Sequence, residues 1–128
     1  MTRALLLTLL IASCQPDETV RGHGAGDRIW VLQELNGAPF TPRATLQFPE
    51  RGRMTGDAPC NRYSTGMTMP YPWFEVGPIA ATKRGCPDLD AEVAFFDALR
   101  SMTLVEVVNQ TMILTNETGG EMLFTTSE

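Results

Sequence analysis

The sequence has little with which to build a catalytic or nucleic-acid-binding site. Its 128 residues include one histidine and three cysteines, and the formal net charge is −5. The chain therefore lacks the basic excess of a nucleic-acid-binding protein, and histidine-based catalysis has a single possible origin. No apolar run reaches the roughly 18 residues of a membrane-spanning helix. None of the motifs G-x-S-x-G, P-loop, H-E-x-x-H or G-x-G-x-x-G occurs, so the chain is predicted not to be an enzyme.

Metal and cofactor motifs are also missing. His23 lies in a polar, glycine-rich stretch with nothing to fix its geometry, and neither Cys60 nor Cys86 belongs to a C-x-x-C. Met67 and Met69 alternate as in a strand, which fits either a thioether copper site or ordinary packing. We therefore predict no metal and no cofactor, and leave a role for the methionine pair open.

Residues 1–13 have the form of a bacterial lipoprotein signal. Arg3 precedes a short apolar stretch, and Ile11-Ala12-Ser13-Cys14 resembles the lipobox, in which the cysteine is lipidated and becomes the first mature residue. An ordinary cleaved signal is the alternative. Gln15 follows in place of the aspartate that tends to retain lipoproteins at the inner membrane. The expected location is the cell envelope, lipid-anchored and facing the periplasm, with the outer membrane favoured.

Residues 14–27 are predicted to be the lipidated cysteine and a flexible tether. Residues 15–27 contain three glycines and one sizeable apolar residue, Val20. Loss of residues 1–13 removes one positive charge, Arg3, which takes the net charge from −5 to −6. An acidic chain gains nothing from anionic lipid, so the acyl anchor is expected to hold the membrane alone.

Residues 28–126 are predicted to be one domain of short strands and a single helix. Alternating apolar residues and turn signals indicate strands at 29–35, 44–48, 53–55, 66–69, 73–76, 79–82, 102–108, 111–115 and 121–125, with an irregular stretch at 57–65. This pattern predicts an α+β, mainly antiparallel domain that forms a partly open β-barrel with one amphipathic helix.

The helix is predicted over residues 88–101. Asp88 is the expected N-cap, and Asp90 and Glu92 suit the positive end of the helix dipole. The residues at helical spacing, which form the expected apolar face, are Leu89, Val93, Phe96 and Leu99.

Two further clusters are candidates for a structural or binding role. With Cys14 lipidated, Cys60 and Cys86 form an even pair in an oxidising compartment, which favours a disulfide. Two buried thiols or a metal site remain as alternatives. Tyr71, Trp73 and Phe74 flank a proline, and they either line a groove for a ligand or partner or pack one end of the barrel.

The sequence resembles the META domain family, the HslJ-like heat-shock lipoproteins. The residues that carry the likeness are Trp30-Val31-Leu32, Leu35-Asn36-Gly37, Met54-Thr55-Gly56, Cys60-Asn61-Arg62-Tyr63-Ser64 and Ile79-Ala80-Ala81-Thr82-Lys83-Arg84-Gly85-Cys86-Pro87. Pro59 departs from the family, which usually has glycine before Cys-Asn. The resemblance implies a barrel-like α+β domain, roles in heat shock, envelope stress or antibiotic tolerance, and no catalytic residues.

The resemblance also implies a set of structural residues: Trp30, Gly37, Gly56, Asn61, Tyr63 and Thr82. The Asn61 side chain is expected to bond its own backbone and hold the turn.

The resulting hypothesis is a non-enzymatic envelope lipoprotein that binds the membrane through Cys14 and an envelope protein partner, but no nucleic acid. The alternatives are a small inhibitor or pilot lipoprotein, or a binder of a small apolar ligand within the barrel.

Overall fold

A computed structural model describes residues 15–127 of the protein, together with the single residue Ala4. The predicted lipidation site Cys14, and the signal segment apart from Ala4, lie outside the described residues. The described elements are a 3₁₀ helix Val20–His23, strands β1 Trp30–Leu35, β2 Ala38–Pro39, β3 Thr45–Glu50, β4 Gly52–Asp57, β5 Arg62–Met67 and β6 Ala80–Ala81, helix α1 Leu89–Ser101, and strands β7 Leu104–Val108, β8 Thr111–Thr115 and β9 Glu121–Thr125. No helix in this part of the chain is long and apolar enough to cross a membrane.

The strands form one antiparallel sheet in the order β6-β5-β4-β3-β1-β9-β8-β7, and β2 pairs with β1. Within the described residues β6 and β7 are edges, so the sheet curves without closing. The prediction of an α+β, mainly antiparallel, partly open barrel with one helix is confirmed.

Alternation along the strands builds the core. Trp30 and Leu32 face inward from β1, as their spacing predicted, because side chains two apart lie on the same face of a strand. The other strands and the helix complete the core with Leu46, Phe48, Met54, Tyr63, Met67, Phe95, Leu99, Met112, Leu114, Met122 and Phe124.

The helix forms where it was expected, and Leu99 and Phe96 face the core as predicted, but the other half of the predicted apolar face is wrong. Leu89 and Val93 are 44% and 53% exposed, whereas Glu92, Phe95 and Leu99 are buried. In this orientation of the helix, Glu92 points into the domain. Its carboxylate accepts backbone hydrogen bonds there. Asp88 occupies the N-cap position, as predicted, but its side chain makes no capping hydrogen bond.

Two strand predictions around the middle of the chain are wrong. Strand β5 occupies much of the stretch expected to be irregular, and its burial alternates through Tyr63, Thr65 and Met67. The expected strand at 73–76 contributes only an isolated bridge between Trp73 and Leu104. Threonine and glycine in β5 weakened the apolar alternation on which the prediction depended.

The segment predicted to be a flexible tether is folded from Asp17 onward. Val20 and Ala25 have no exposed surface, and Asp17 Oδ1 accepts hydrogen bonds from the Thr19 backbone N–H at 3.0 Å and the Thr19 hydroxyl at 2.6 Å. A Cβ at Gly22 would overlap the carbonyl oxygen of Asp17, so this glycine serves close packing. The glycine content that suggested a tether therefore has another cause.

Candidate binding groove

An open groove lies on the outer face of strands β3 to β6. Gln47, Thr55, Ser64 and Ala80 are successive Cα partners across the four strands and form a row along its floor. Neighbouring positions in a strand face opposite sides, so this row lies on the reverse of core residues such as Met54. The groove has a volume of about 650 Å³. Its floor offers hydroxyl and amide groups to a ligand.

Two arginines share one carboxylate at the rim of the groove. Arg43 Nε lies 3.7 Å from Asp57 Oδ2, and Arg62 Nε lies 3.8 Å from Asp57 Oδ1. Each guanidinium approaches Asp57 through Nε, and all three side chains are substantially exposed. Exposed pairs at these distances contribute little to stability. The arrangement therefore holds two guanidinium groups beside each other. A ligand that replaces Asp57 as their partner loses little energy by breaking the two ion pairs.

The rim carries positive charge in an acidic protein. Arg53 lies on the same face of β4 as Thr55, and a second depression of about 570 Å³ shares Arg43, Asp57 and Arg62 with the groove and adds Arg84. Four arginines and one aspartate line the two depressions, and Glu50 lies 3.5 Å from Arg53, so this surface has a formal charge of +2, whereas the whole chain carries −5. Because these arginines are scattered along the chain, no sequence motif grouped them.

A hydrogen-bond network centred on Asn61 supports one end of the groove. Asn61 Oδ1 accepts bonds from the Thr82 hydroxyl at 2.8 Å and the Arg84 backbone N–H at 2.6 Å. Its Nδ2 donates to the Arg84 carbonyl at 3.0 Å. The side chain therefore pairs with residues 82–84 as a neighbouring strand would. The expectation that Asn61 bonds its own backbone is wrong.

The buried carboxylate of Glu92 completes this network. Its Oε1 accepts the backbone N–H groups of Cys60 at 3.0 Å and Asn61 at 2.8 Å, and its Oε2 accepts Asn61 Nδ2 at 2.7 Å. Glu92 is 4% exposed, so these bonds satisfy a charge that burial would otherwise destabilise. The sequence predicted only that Glu92 stabilises the positive end of the helix dipole. In the structure its carboxylate also binds the turn before β5. Its spacing with Phe95 and Leu99 was the signal that it faces inward.

A disulfide joins Cys60 and Cys86 across the same region. Their Cα atoms are 5.6 Å apart, and the two cysteines are 26 positions apart in the sequence. The bond links the turn before β5 to the segment that follows β6. Together with the Asn61 network it holds Thr82 and Arg84 against the groove.

Two of the family-signature residues pack against Thr45 beneath the groove. The Tyr63 hydroxyl donates to the Thr45 carbonyl at 2.7 Å, and burial, reinforced by the charge of Asp57, raises the pKa of the Tyr63 phenol above its ordinary value. A Cβ at Gly56 would overlap the same carbonyl. Both residues therefore set the approach of β3 to β4 and β5.

The two remaining signature residues also have structural positions. Trp30 is fully buried and donates its indole N–H to the Ala25 carbonyl at 3.1 Å. Gly37 has φ +79° and Asn36 has φ 52° in the turn between β1 and β2, the geometry that the Asn-Gly sequence predicted.

The aromatic cluster does not form one groove. Phe74 is 1% exposed and belongs to the core, whereas Trp73 is 53% exposed. The Tyr71 ring stacks on His23 with ring centroids 4.7 Å apart, and its hydroxyl accepts the Val107 backbone N–H at 3.3 Å. The candidate groove of Tyr71, Trp73 and Phe74 is therefore wrong, because the three side chains point into different environments.

His23 has a fixed position that the sequence did not predict. Its Nδ1 lies 3.0 Å from the Thr19 carbonyl oxygen, which can only accept, so Nδ1 carries a proton. This contact fixes the ring within the N-terminal segment, and the stacking on Tyr71 ties the segment to the domain. Across the described residues no three His, Cys, Asp or Glu side chains come together as metal ligands.

Known proteins share both sequence features and fold with this chain. A family model described as the META domain matches residues 25–128. A Burkholderia xenovorans protein solved by NMR is 21% identical, with a TM-score of 0.66 over 99% of this chain and 95% of its own. A DUF4847 family protein from Bacteroides vulgatus, solved by crystallography, is 11% identical, with a TM-score of 0.64 over 83% of this chain and 96% of its own. At these identities the likeness shows the fold alone. No curated protein shows significant similarity to the chain.

Proposed function

The chain belongs to the META domain family, and we propose that it is a non-enzymatic, lipid-anchored binding module of the bacterial envelope. The groove framed by Arg43, Arg53 and Arg62 is its binding face, and its partner is an acidic segment of an envelope protein. The resemblance to the heat-shock lipoproteins supports a role in envelope stress or antibiotic tolerance.

The paired arginines at the rim carry this proposal. A guanidinium presents a planar fork of N–H donors that matches a carboxylate. Asp57 already lies between Arg43 and Arg62, so the spacing of these two side chains admits a carboxylate. Both approach it through Nε at more than 3.5 Å, which leaves their terminal N–H groups for a partner. The small polar floor lets an extended peptide lie close to the sheet.

The environments of the reactive side chains support a non-enzymatic role. The imidazole of His23 is held between Thr19 and Tyr71 and lies away from the groove. The Glu92 carboxylate is occupied by three N–H donors, and the disulfide removes both described cysteines as thiolate nucleophiles. These groups stabilise the fold, which leaves binding as the use of the groove.

A ligand site inside the barrel has less support. The described interior is filled by large side chains, among them Trp30, Leu46, Met54, Phe95, Met112 and Phe124. An apolar ligand would have to displace well-packed side chains.

The sequence supports the proposed lipid anchor and location. The lipobox-like Ile11–Cys14 supports acylation of Cys14, and Gln15 supports the outer membrane. Mass spectrometry of the mature protein should find a chain that begins at Cys14 and carries acyl mass, and Cys14→Ala should leave the membrane fraction. An unmodified N-terminus at any residue contradicts the anchor.

The groove is tested by titrating the mature protein, in zwitterionic micelles, with a glutamate-rich peptide. Backbone amide signals of Thr55, Arg62 and Ser64 should shift, and the shifts should weaken at high salt because exposed charges are screened. A lysine-rich peptide of equal length should leave these signals in place. If inorganic phosphate moves the same amides as strongly, the groove is a general anion site and the protein-partner assignment fails.

Charge reversal provides the matched control. The change Arg62→Glu should weaken binding of the glutamate-rich peptide about tenfold, or ~1.4 kcal/mol. Arg100→Glu alters an exposed arginine on α1 outside the groove and should leave binding unchanged. Equal weakening by both variants would show that overall charge, and not the groove, attracts the peptide.

A further inference from the structure

The chain enters the folded domain immediately after the proposed anchor. The Gln15 carbonyl accepts a hydrogen bond from Arg51 Nη2 at 2.8 Å, and Asp17 Oδ1 lies 3.9 Å from Arg51 Nε. Arg51 forms the turn between β3 and β4. The first residue after Cys14 is therefore already held against this end of the sheet.

This contact leaves almost no flexible linker between the proposed anchor and the domain. Consecutive Cα atoms are about 3.8 Å apart, so an anchor one residue before Gln15 adds a reach of only ~4 Å. A flexible tether over residues 15–27 would instead give a root-mean-square reach of about 20 Å. With acyl chains on Cys14, the end of the domain at Arg51 must lie at the bilayer surface.

An exposed tryptophan lies near the same entry point. The Tyr71 backbone N–H donates to the Glu18 carbonyl at 2.7 Å. Trp73 follows two residues later, so its Cα lies within ~8 Å of the Tyr71 Cα. Trp73 is 53% exposed, and its bridge partner Leu104 is 37% exposed. Tryptophan is favoured at membrane interfaces, where its ring contacts apolar chains and its N–H contacts polar headgroups.

We infer that the Trp73–Leu104 patch docks on the bilayer to which Cys14 is anchored. The inference rests on the proposed lipid anchor and adds an orientation to it. Near the entry, Asp17 pairs with Arg21 and Arg51, and Glu50 pairs with Arg53. Glu106 lies beside Leu104 and Glu75 follows Trp73 by two residues, so the patch offers no net positive charge to anionic lipid. Docking is therefore apolar and independent of anionic lipid.

The two tryptophans allow a direct test. Trp30 is fully buried, so a change in emission on membrane binding reports Trp73. The lipidated protein is reconstituted in phosphatidylcholine vesicles that carry bromine near the headgroup end of the acyl chains. Wild-type emission should fall and shift to the blue, Trp73→Phe should show neither change, and added phosphatidylglycerol should not alter the result.

A variant with a longer linker is the control for orientation. Ten glycine and serine residues inserted between Gln15 and Pro16 keep Gln15 beside Cys14 and add a root-mean-square reach of ~18 Å. Quenching of Trp73 should decrease in this variant while its thermal midpoint stays that of the wild type. Unchanged quenching overturns the inference that the short connection sets the orientation.

The remaining outcomes separate this inference from the anchor itself. Acylated protein whose Trp73 emission is not quenched overturns the docking and leaves the anchor intact. Protein found without acyl mass at Cys14 overturns the anchor, and the docking with it. A blue shift that depends on protein concentration in micelles would show that a second copy of the chain covers the patch, which also overturns membrane docking.

Discussion

The Glu92 carboxylate is a buried charge whose bonds all come from one short stretch of chain. Cys60 and Asn61 provide its three N–H donors. Hydrogen bonds to a charged acceptor are stronger than those between neutral groups, and a buried donor left without an acceptor is destabilising. Glu92 therefore holds the turn before β5, and through Asn61 it also holds the groove.

Glu92→Gln should destabilise the protein by about 1–3 kcal/mol. The amide keeps one acceptor oxygen, so its NH₂ group must face at least one of the donors from Cys60 or Asn61. Urea denaturation measures the loss, and Glu106→Gln, an exposed position on β7, is the control. Equal losses in the two variants would contradict a special role for Glu92.

Asp17 is the residue around which the N-terminal segment is organised. Burial alone would raise the pKa of its carboxyl group, but hydrogen bonds from Thr19 and the charges of Arg51 and Arg21 outweigh that effect. The pKa of Asp17 therefore lies below its ordinary value of 3.8. The ionised carboxylate stabilises the folded state.

Asp17→Asn should lower stability at neutral pH, and the difference from wild type should depend on pH. A pKa lowered on folding gives stability that is fully present above the unfolded-state pKa and is lost as pH falls through the folded-state pKa. The wild type should therefore keep its advantage above about pH 5 and lose it below the ordinary Asp pKa. Denaturation across this range measures the effect, with Glu117→Gln as control. An advantage that grows on acidification would refute this linkage.

At the scale of elements, the N-terminal segment behaves as part of the domain. The 3₁₀ helix Val20–His23 buries Val20, and Arg21 Nε donates to the Phe48 carbonyl at 3.2 Å. The close approach of Gly22 to the Asp17 backbone makes this packing specific to glycine. The segment therefore joins the proposed membrane anchor directly to the sheet.

Gly22→Ala should loosen this segment and destabilise the protein by about 1–3 kcal/mol, because the added methyl group meets rigid backbone. Trypsin should then cleave after Arg21 faster than in the wild type. Gly85→Ala is the matched control, since a Cβ there meets no atom within 4 Å. Equal cleavage rates in the two variants would show that the segment tolerates a side chain.

At the scale of the whole molecule, the two surfaces have different proposed functions. The basic groove on β3 to β6 and the apolar patch at Trp73 draw on distant parts of the chain, and the disulfide closes a loop that spans much of the first surface. The net charge of −5 describes neither surface. We therefore expect mutations to separate the proposed partner binding from the proposed membrane docking.

The double change Cys60→Ser and Cys86→Ser should lower the free energy of unfolding by about 3–4 kcal/mol, the chain-entropy value for a loop of this length. Guanidinium denaturation measures the loss, and the wild type treated with reductant should match the variant. A loss well below 1 kcal/mol would show that the Asn61 and Glu92 bonds hold the loop without the disulfide.

The sequence by itself determined the features that depend on near neighbours. Alternation of Trp30 with Leu32, and the Asn-Gly turn at Gly37, are local, so strands and turns followed directly from the residues. The general architecture could be predicted from these strand and turn patterns, and the family resemblance from short motifs. Cys60 and Cys86 could be paired because export and an even count favour a disulfide.

Only the tertiary structure decided what depends on contacts distant in sequence. The helix phase follows the donors that Glu92 meets inside the domain, and the folding of residues 17–27 depends on the surface that receives Val20. The groove brings Arg43 and Arg62 to Asp57 from separate strands. A residue's own spacing cannot reveal a partner on another strand, because strand order and curvature determine which side chains meet.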